Sequence, residues 1–254
     1  MHILVTNDDG VQAPGLLALA QEMRKLGRVT VLAPDRNWSA SGHVKTMERP
    51  LRVRTVKLAD GTPALTSDGA PSDCVALALL GVVQEKVDLV VSGINPNANI
   101  GHDVTYSGTV TAAMEAVIAG VPGIAVSLDS KPGQSELDYT PAARAAARLA
   151  AHVLKEGLPQ GILLNVNVPH LPEAEIRGLR VTRQGLRVYR DALDERRDPR
   201  GRPYYWIGGD WPTGINEEGT DFWALQMGFI SVTPLQLDLT ARELLPRLRD
   251  WEEG

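Results

Sequence analysis

The chain is short of cysteine, of surplus positive charge and of long apolar runs, and each shortage excludes a class of protein. A single cysteine, Cys74, rules out an intramolecular disulfide. Set in the run CVALALLGVV, it reads as a small buried hydrophobe and not as a reactive thiol. With 26 Lys+Arg against 31 Asp+Glu the net charge is -5, so no basic excess exists to neutralise polymeric nucleic acid or a membrane surface. No stretch approaches the roughly 18 apolar residues of a membrane span, and no basic segment leads into an apolar one at the N-terminus. The expectation is a cytoplasmic protein without a membrane partner. Motifs are missing too: no GxGxxG follows the first strand, and GxxxxGK[ST], GxSxG and HExxH are absent. Dinucleotide oxidoreductases, P-loop NTPases, serine hydrolases and zincins all lose support.

What is present is a rhythm. Apolar strand-like runs ILVT (3–6), VTVLAP (29–34), VDLVVSG (87–93), GIAVSL (123–128) and GILLNVNVP (161–169) alternate with helix-like runs at 14–27, 71–81, 107–120 and 140–157. Strands apolar on both faces, separated by helices, predict an α/β fold with a mostly parallel sheet covered on both sides. Thr140-Pro141 reads as an N-cap with proline at the first helical position, and Gly27, Gly120 and Gly157 stand where helix C-termini take glycine. Beyond residue 178 the rhythm changes. GLRVTRQGLRVYR, a charged tip with five arginines and four acids, and YYWIGG predict a long hairpin with a solvated end. A short helical stretch, GTDFWALQMG, the strand FISVTPL and an amphipathic terminal helix follow. The predicted organisation is a core over 1–177 and a C-terminal extension over 178–254, with neither repeats nor low-complexity segments.

Ligands of open parallel sheets sit at the carboxyl ends of the strands, near the point where strand order reverses. That rule selects three loops: NDDG (7–10), PDRNWSASGH (34–43) and SGINPNANIGHDVTYSGTV (92–110). In the first, Asp8 and Asp9 put adjacent carboxylates at the end of a buried strand. Two such charges about 4 Å apart repel by roughly 4 kcal/mol at an effective dielectric near 20. They are either solvated turn residues or metal ligands. Oxygen donors suit Mg²⁺, Mn²⁺ or Ca²⁺ and not a thiolate- or imidazole-rich zinc site. Further donors must come from the other loops, where Ser39, Ser41, Asn95, Asn97 and Asn99 all qualify and spacing does not choose among them. The third loop enters a helix at Ser107, Gly108 and Thr109, a setting that suits phosphate and that equally makes Ser107 an N-cap. Of five histidines, only His43 and His102 stand in these loops, as an acid, a phosphate contact or solvated side chains. Asp35 and Asp103 fit turns and caps as well as ligands.

Four ordered blocks then resemble the SurE (survival protein E) phosphatases: ILVTNDDG, AP followed by SASGH, SGIN...N.G.DV.YSGTV.AAME, and GTD...A...G..S.TPL..DLT. That family comprises metal-dependent 5'(3')-nucleotidases. The resemblance implies a Rossmann-like core and one divalent cation per subunit, Mg²⁺ or Mn²⁺ ahead of Ca²⁺, held by Asp8, Asp9, Ser39 and Asn95. Asn99 and the turn of Ser107, Gly108 and Thr109 would form the phosphate pocket, with His43 a further substrate contact. It implies catalysis through Asp8 and Asp9 on nucleoside monophosphates. It also implies a homodimer or homotetramer built through a projecting hairpin (186–207) and a terminal segment (229–254) whose last part, from 240, is swapped between subunits. The third loop departs from the family pattern at Pro96-Asn97, where a glycine is common, at His102 and at Ala116. Pro96 confines Asn95 to extended backbone. The rival expectations are a nucleotide-binding regulatory module without turnover and an aspartyl-phosphate phosphatase of the haloacid-dehalogenase kind. The latter spaces its acids D-x-D, whereas Asp8 and Asp9 are adjacent.

Overall fold

The structure, a computed structural model, describes every residue except Pro132, Ser135, Glu253 and Gly254. The apolar runs form one sheet of nine strands in the order β3-β4-β2-β1-β5-β6-β7-β11-β8. Its strands are β1 (His2–Thr6), β2 (Arg28–Pro34), β3 (Val53–Lys57), β4 (Pro63–Ser67), β5 (Leu89–Asn95), β6 (Gly123–Asp129), β7 (Ile162–Pro169), β8 (Leu179–Val181) and β11 (Ile230–Gln236). A separate antiparallel pair, β9 (Arg187–Arg197) and β10 (Pro203–Gly214), makes the hairpin. Pairing is parallel from β4 through β7, and antiparallel where β3 meets β4 and where β11 meets β7. The expected mostly parallel α/β sheet is therefore the observed one.

Alternation along the central strands divides the core between two helical layers. Ile3, Val5, Leu89 and Val91 pack with Leu16 and Leu19 of α1 (Pro14–Met23) and Ala142 and Ala146 of α4 (Thr140–Glu156). On the other face Leu4, Leu32 and Val90 meet Cys74 and Val75 of α2 (Pro71–Leu77) and Ala112 and Ala116 of α3 (Gly108–Ile118). Each fully buried Leu, Ile or Val here contributes roughly 1.5–3 kcal/mol relative to exposure. Alanine on α3 and α4 lets the helices lie close to the strands. Cys74 is buried and free, as its setting predicted.

Several local expectations need correction. The hairpin of β3 and β4 has no counterpart in the apolar pattern, because β3 is a half-exposed edge strand without apolar alternation. The 71–81 run is helical only to Leu77 and then widens into a π-turn over Ala78–Val82 that contains Gly81 at φ 126°. Thr140 is the first residue of α4 and not its cap; its N–H is taken by Asp138 at 2.9 Å, and Tyr139 holds the cap position. The segment read as the start of the long hairpin instead gives β8, which joins the main sheet beside β11. The hairpin proper starts at Arg187 and runs to Gly214, past the expected limit of 207. The terminal amphipathic stretch shortens to a 3₁₀ turn and α6 (Leu245–Arg249), while α5 (Asp221–Gln226) lies where GTDFWALQMG placed it.

The chain runs outward from β1 to β2 and β4 on one side and from β5 to β6 and β7 on the other. The switch point is thus the crevice between β1 and β5, where Thr6 pairs with Ser92. Gly93 shapes its far wall. The register between β5 and β6 shifts there, φ is +136°, and a Cβ would lie 2.3 Å from the Val126 carbonyl oxygen. Gly93→Ala combines a disfavoured backbone region, about 1–2 kcal/mol, with a backbone clash of about 1–3 kcal/mol. At about 2–4 °C per kcal/mol, the melting temperature falls by roughly 5–15 °C in a calorimetric scan. An unchanged melt would show that the β5–β6 approach is not as close as described.

Candidate active site

The first β-turn of the site leaves β1 at Asn7, whose amide nitrogen donates to the Gly10 carbonyl at 3.0 Å and folds the chain back. This turn lodges Asp8 under the start of α3. Thr109 donates its hydroxyl to Asp8 Oδ1 at 2.5 Å, and the backbone N–H groups of Gly108 and Thr109 favour the charged form of the same carboxylate. Residue 108 has to be glycine, because a Cβ there would sit 2.7 Å from Asp8 Cβ. The free N–H groups of α3 are thus turned on Asp8, an anion supplied by the chain itself. Even so, burial outweighs those contacts and raises the Asp8 pKa above the usual carboxylate range.

Asp9 is worse placed as an anion. Its Oδ2 is buried without a hydrogen-bond partner among the described residues, and Oδ1 meets only Asn37 Nδ2 at 3.4 Å. Burial, and then the neighbouring Asp8 charge, push its pKa up to about 7. Asn37 also takes the Ser39 N–H on its Oδ1 at 2.7 Å, which bends the second loop over the first. The Trp38 N–H donates to the Asp8 carbonyl at 2.7 Å.

Asp8, Ser39, Asn95, Asn97, Asn99 and Ser107 line one cleft of about 350 Å³ at the switch point, closed on the remaining side by Asp103, Tyr106 and Arg187. Asn95 donates Nδ2 to the Asn97 carbonyl at 2.5 Å, which leaves Oδ1 as a ligand oxygen. Asn99 is clamped from below. Its carbonyl accepts from Asn165 and Asn167 at 2.8 and 3.1 Å, its N–H donates to Asn167 Oδ1 at 2.8 Å, and its Nδ2 donates to Ser127 at 2.8 Å. Ser107 accepts from the Val110 N–H at 3.1 Å, so it is the N-cap of α3 and a cleft residue at once, with its own O–H still to give.

Gly108 and Thr109 do not line the cleft; they lie behind Asp8. Nor does the structure bring His43 to it. The imidazole pairs at 2.9 Å with Glu115 on α3, which also holds Lys45 at 3.1 Å. Arg187, Tyr106 and Asn37 carry no local signal in the sequence, the amide pair Asn165 and Asn167 stands inside an apolar run, and Asp103, which fits a turn or cap as well as a ligand, stands in the cleft wall. Asp221 stands in the GTDFWALQMG motif. It is fully buried, accepts the Gly101 N–H on Oδ2 at 2.8 Å and the Gly185 and Phe222 N–H groups on Oδ1 at 2.7 and 2.8 Å, and so ties the third loop to the approach of the hairpin. The signal that could have found the amides was there, since two asparagines at i and i+2 inside an apolar strand must be buried and bonded.

A partly compensated carboxylate on the cleft wall, the adjacent acid Asp9 with a buried oxygen that has no partner among the described residues, and the neutral side-chain oxygens of the cleft are the chemistry of a hard-cation site. Among the described residues no cluster of three or more His, Cys, Asp or Glu side chains could hold a metal, so such a cation would rely on the two acids and the neutral oxygens. The electrostatic cost is testable without one. A carboxylate whose folded pKa exceeds its unfolded value withdraws stability as pH rises between the two, a window of 3.8 to about 7 for Asp9. In chelator, Asp9→Asn therefore melts a few degrees above wild type at pH 8, and the gap closes below pH 4. A variant that melts lower at pH 8 would show that the Asp9 charge is already compensated within the protein.

Comparison with known proteins gives the same arrangement a lineage. Residues 3–191 match the family model described as "Survival protein SurE". The chain is 53% identical over 252 residues to the "5'-nucleotidase SurE" of Chloroflexus aggregans, covering 99% of each sequence. It is 55% identical over 250 residues to that of Herpetosiphon aurantiacus, covering 98% of this chain and 97% of the other. Among solved structures, the SurE protein from Aquifex aeolicus superposes with a TM-score of 0.84 at 42% identity, covering 99% of this chain and 100% of that one. With the acid pair, the switch-point cleft and the full-length likeness all in one molecule, the chain belongs to the SurE family.

Proposed function

We propose that this chain is a divalent-metal-dependent phosphomonoester hydrolase that releases phosphate from nucleoside 5'- and 3'-monophosphates. The observation that carries the reading is the acid pair: Asp9 keeps an unpartnered buried oxygen beside a second buried carboxylate. The names of the relatives, 5'-nucleotidases over almost their whole lengths, supply the substrate class. Asp8, Asp9, Ser39 and Asn95 would hold one cation per subunit, Mg²⁺ or Mn²⁺ with Ca²⁺ as the alternative. When bound, it supplies Lewis-acid polarisation of the phosphate and makes water a stronger nucleophile at neutral pH.

The chain's own groups do the remaining work. Asn99, immobilised by three side chains, and Ser107, through its free O–H, bind phosphate oxygens. Asp8 is spent on Thr109 and the start of α3, which makes it an anchor and a poor nucleophile. Asp9 takes the proton of the attacking water. This favours direct attack over an aspartyl phosphate, and a trapped phosphoenzyme would count against it. Tyr106, 60% exposed at the rim, offers a flat face on which a base stacks. No helix among the described residues is long and apolar enough to cross a membrane.

Residues 178–254 would complete the site and join subunits. The hairpin and tail leave Leu193, Trp206, Ile207, Leu239 and Trp251 exposed, an apolar surface that a second copy would cover as a homodimer or homotetramer. Light scattering then returns a multiple of the subunit mass.

With Mg²⁺, Mn²⁺ or Ca²⁺ in turn, phosphate is released from a panel of nucleoside monophosphates and release stops in chelator. Asp8→Asn, still folded, loses about 1,000-fold in kcat. Binding without release in every metal would favour a regulatory module. Tyr106→Ala raises KM about 5- to 100-fold for nucleotides and leaves it unchanged for glycerol phosphate; equal effects on both would remove the base from the Tyr106 ring.

A further inference from the structure

Arg187 is the one cationic side chain among the described residues that line the cleft. It enters from the first position of β9, far in sequence from the acids, and only 10% of its side chain is exposed. Two of its three nitrogens are committed. Nε donates to Asp103 Oδ2 at 2.8 Å, and Nη1 donates to the Pro212 carbonyl at 3.3 Å. Among the described residues no protein acceptor pairs with Nη2. The other oxygen of Asp103 accepts the Tyr189 hydroxyl at 2.5 Å, so the carboxylate that orients the guanidinium is itself held from two sides.

Such an arrangement is more than a pin between hairpin and loop. A pin needs only the Asp103 contact, and an exposed side chain would serve. Here a fixed charge, largely removed from water, lines the cleft that also contains Asn99, Ser107 and Asp8, as well as the neighbouring pocket that holds Asp129, and one nitrogen of its fork has no acceptor among the described residues. An anion reaching that edge forms a charge-assisted bond without ordering a flexible side chain first. Lysine in the same place could not hold Asp103 and a ligand together, since it offers one nitrogen in place of three.

Resting on the phosphatase reading of this cleft, we infer that Arg187 is a substrate-binding residue, its Nη2 edge binding the dianionic phosphate of the substrate, with Asp103 and Tyr189 as positioning residues. The contact is present before and during reaction, so it acts on binding and not on turnover. The test compares Arg187→Ala, Arg187→Lys and Tyr189→Phe with wild type, reading kcat and KM for a nucleoside 5'-monophosphate and the affinity for inorganic phosphate by calorimetry in Mn²⁺. Both arginine variants raise KM about 10- to 100-fold, change kcat less than about threefold, and weaken inorganic phosphate by the same factor as KM. Tyr189→Phe, which leaves the arginine in place, has a smaller effect of the same kind. Added guanidinium restores part of the affinity in Arg187→Ala and none in Arg187→Lys, where the ammonium blocks the place. Unchanged KM and phosphate affinity with a lowered melting temperature would overturn the inference and leave Arg187 a structural pin. Phosphate binding that depends on Arg187 in a wild-type protein that hydrolyses no nucleotide would instead sink the hydrolase reading and keep this one.

Discussion

Negative charge gathered at the end of β1 is the constraint around which the rest is arranged. Asp8 is buried and Asp9 half-buried where a central strand gives way to its loop, and the protein offsets only part of the cost. The start of α3, the Thr109 hydroxyl and a glycine at 108 all serve Asp8; almost nothing serves Asp9. A chain selected for stability alone would have capped the second acid or replaced it. Under the cation reading proposed for this site, keeping it raw would make stability and ligand affinity draw on the same free energy.

Sheet order makes this gathering possible. Reversal between β1 and β5 opens a crevice into which three loops project, and each is disciplined by a few polar contacts. Asn7 turns the first, Asn37 the second, and the β7 amides with Asp221 fix the third. Asparagine recurs because it both gives and accepts, and so can satisfy irregular backbone without adding more charge to a site already negative.

The central strands and their helices were legible because burial on both faces leaves an unmistakable apolar run, as in ILVT and VDLVV. Asp8, Ser39, Asn95, Asn99 and Ser107 could be shortlisted because the strand-end rule depends on local pattern. What could not be read depends on contacts between distant segments. His43 finds Glu115 across 72 positions, Asp103 finds Arg187 across 84, and nothing local to any of them announces it. The edge hairpin of β3 and β4 escaped for a different reason, since a strand with little to bury carries little pattern. Helix boundaries shifted where polar side chains competed with the expected cap, as Asp138 does before α4.

Asp221 links the floor of the molecule to its rim. One enclosed carboxylate receives N–H groups from Gly101, Gly185 and its own neighbour Phe222, and the bonds of Gln184 to Gly101, Arg187 to Asp103 and Arg183 to Gly219 fasten the same segments again. They form a single mechanical unit, so the third loop cannot shift without carrying the root of the hairpin and the head of α5 with it. Sequence drift in α5, well outside the three loops at the switch point, is thereby transmitted to the width of the cleft mouth.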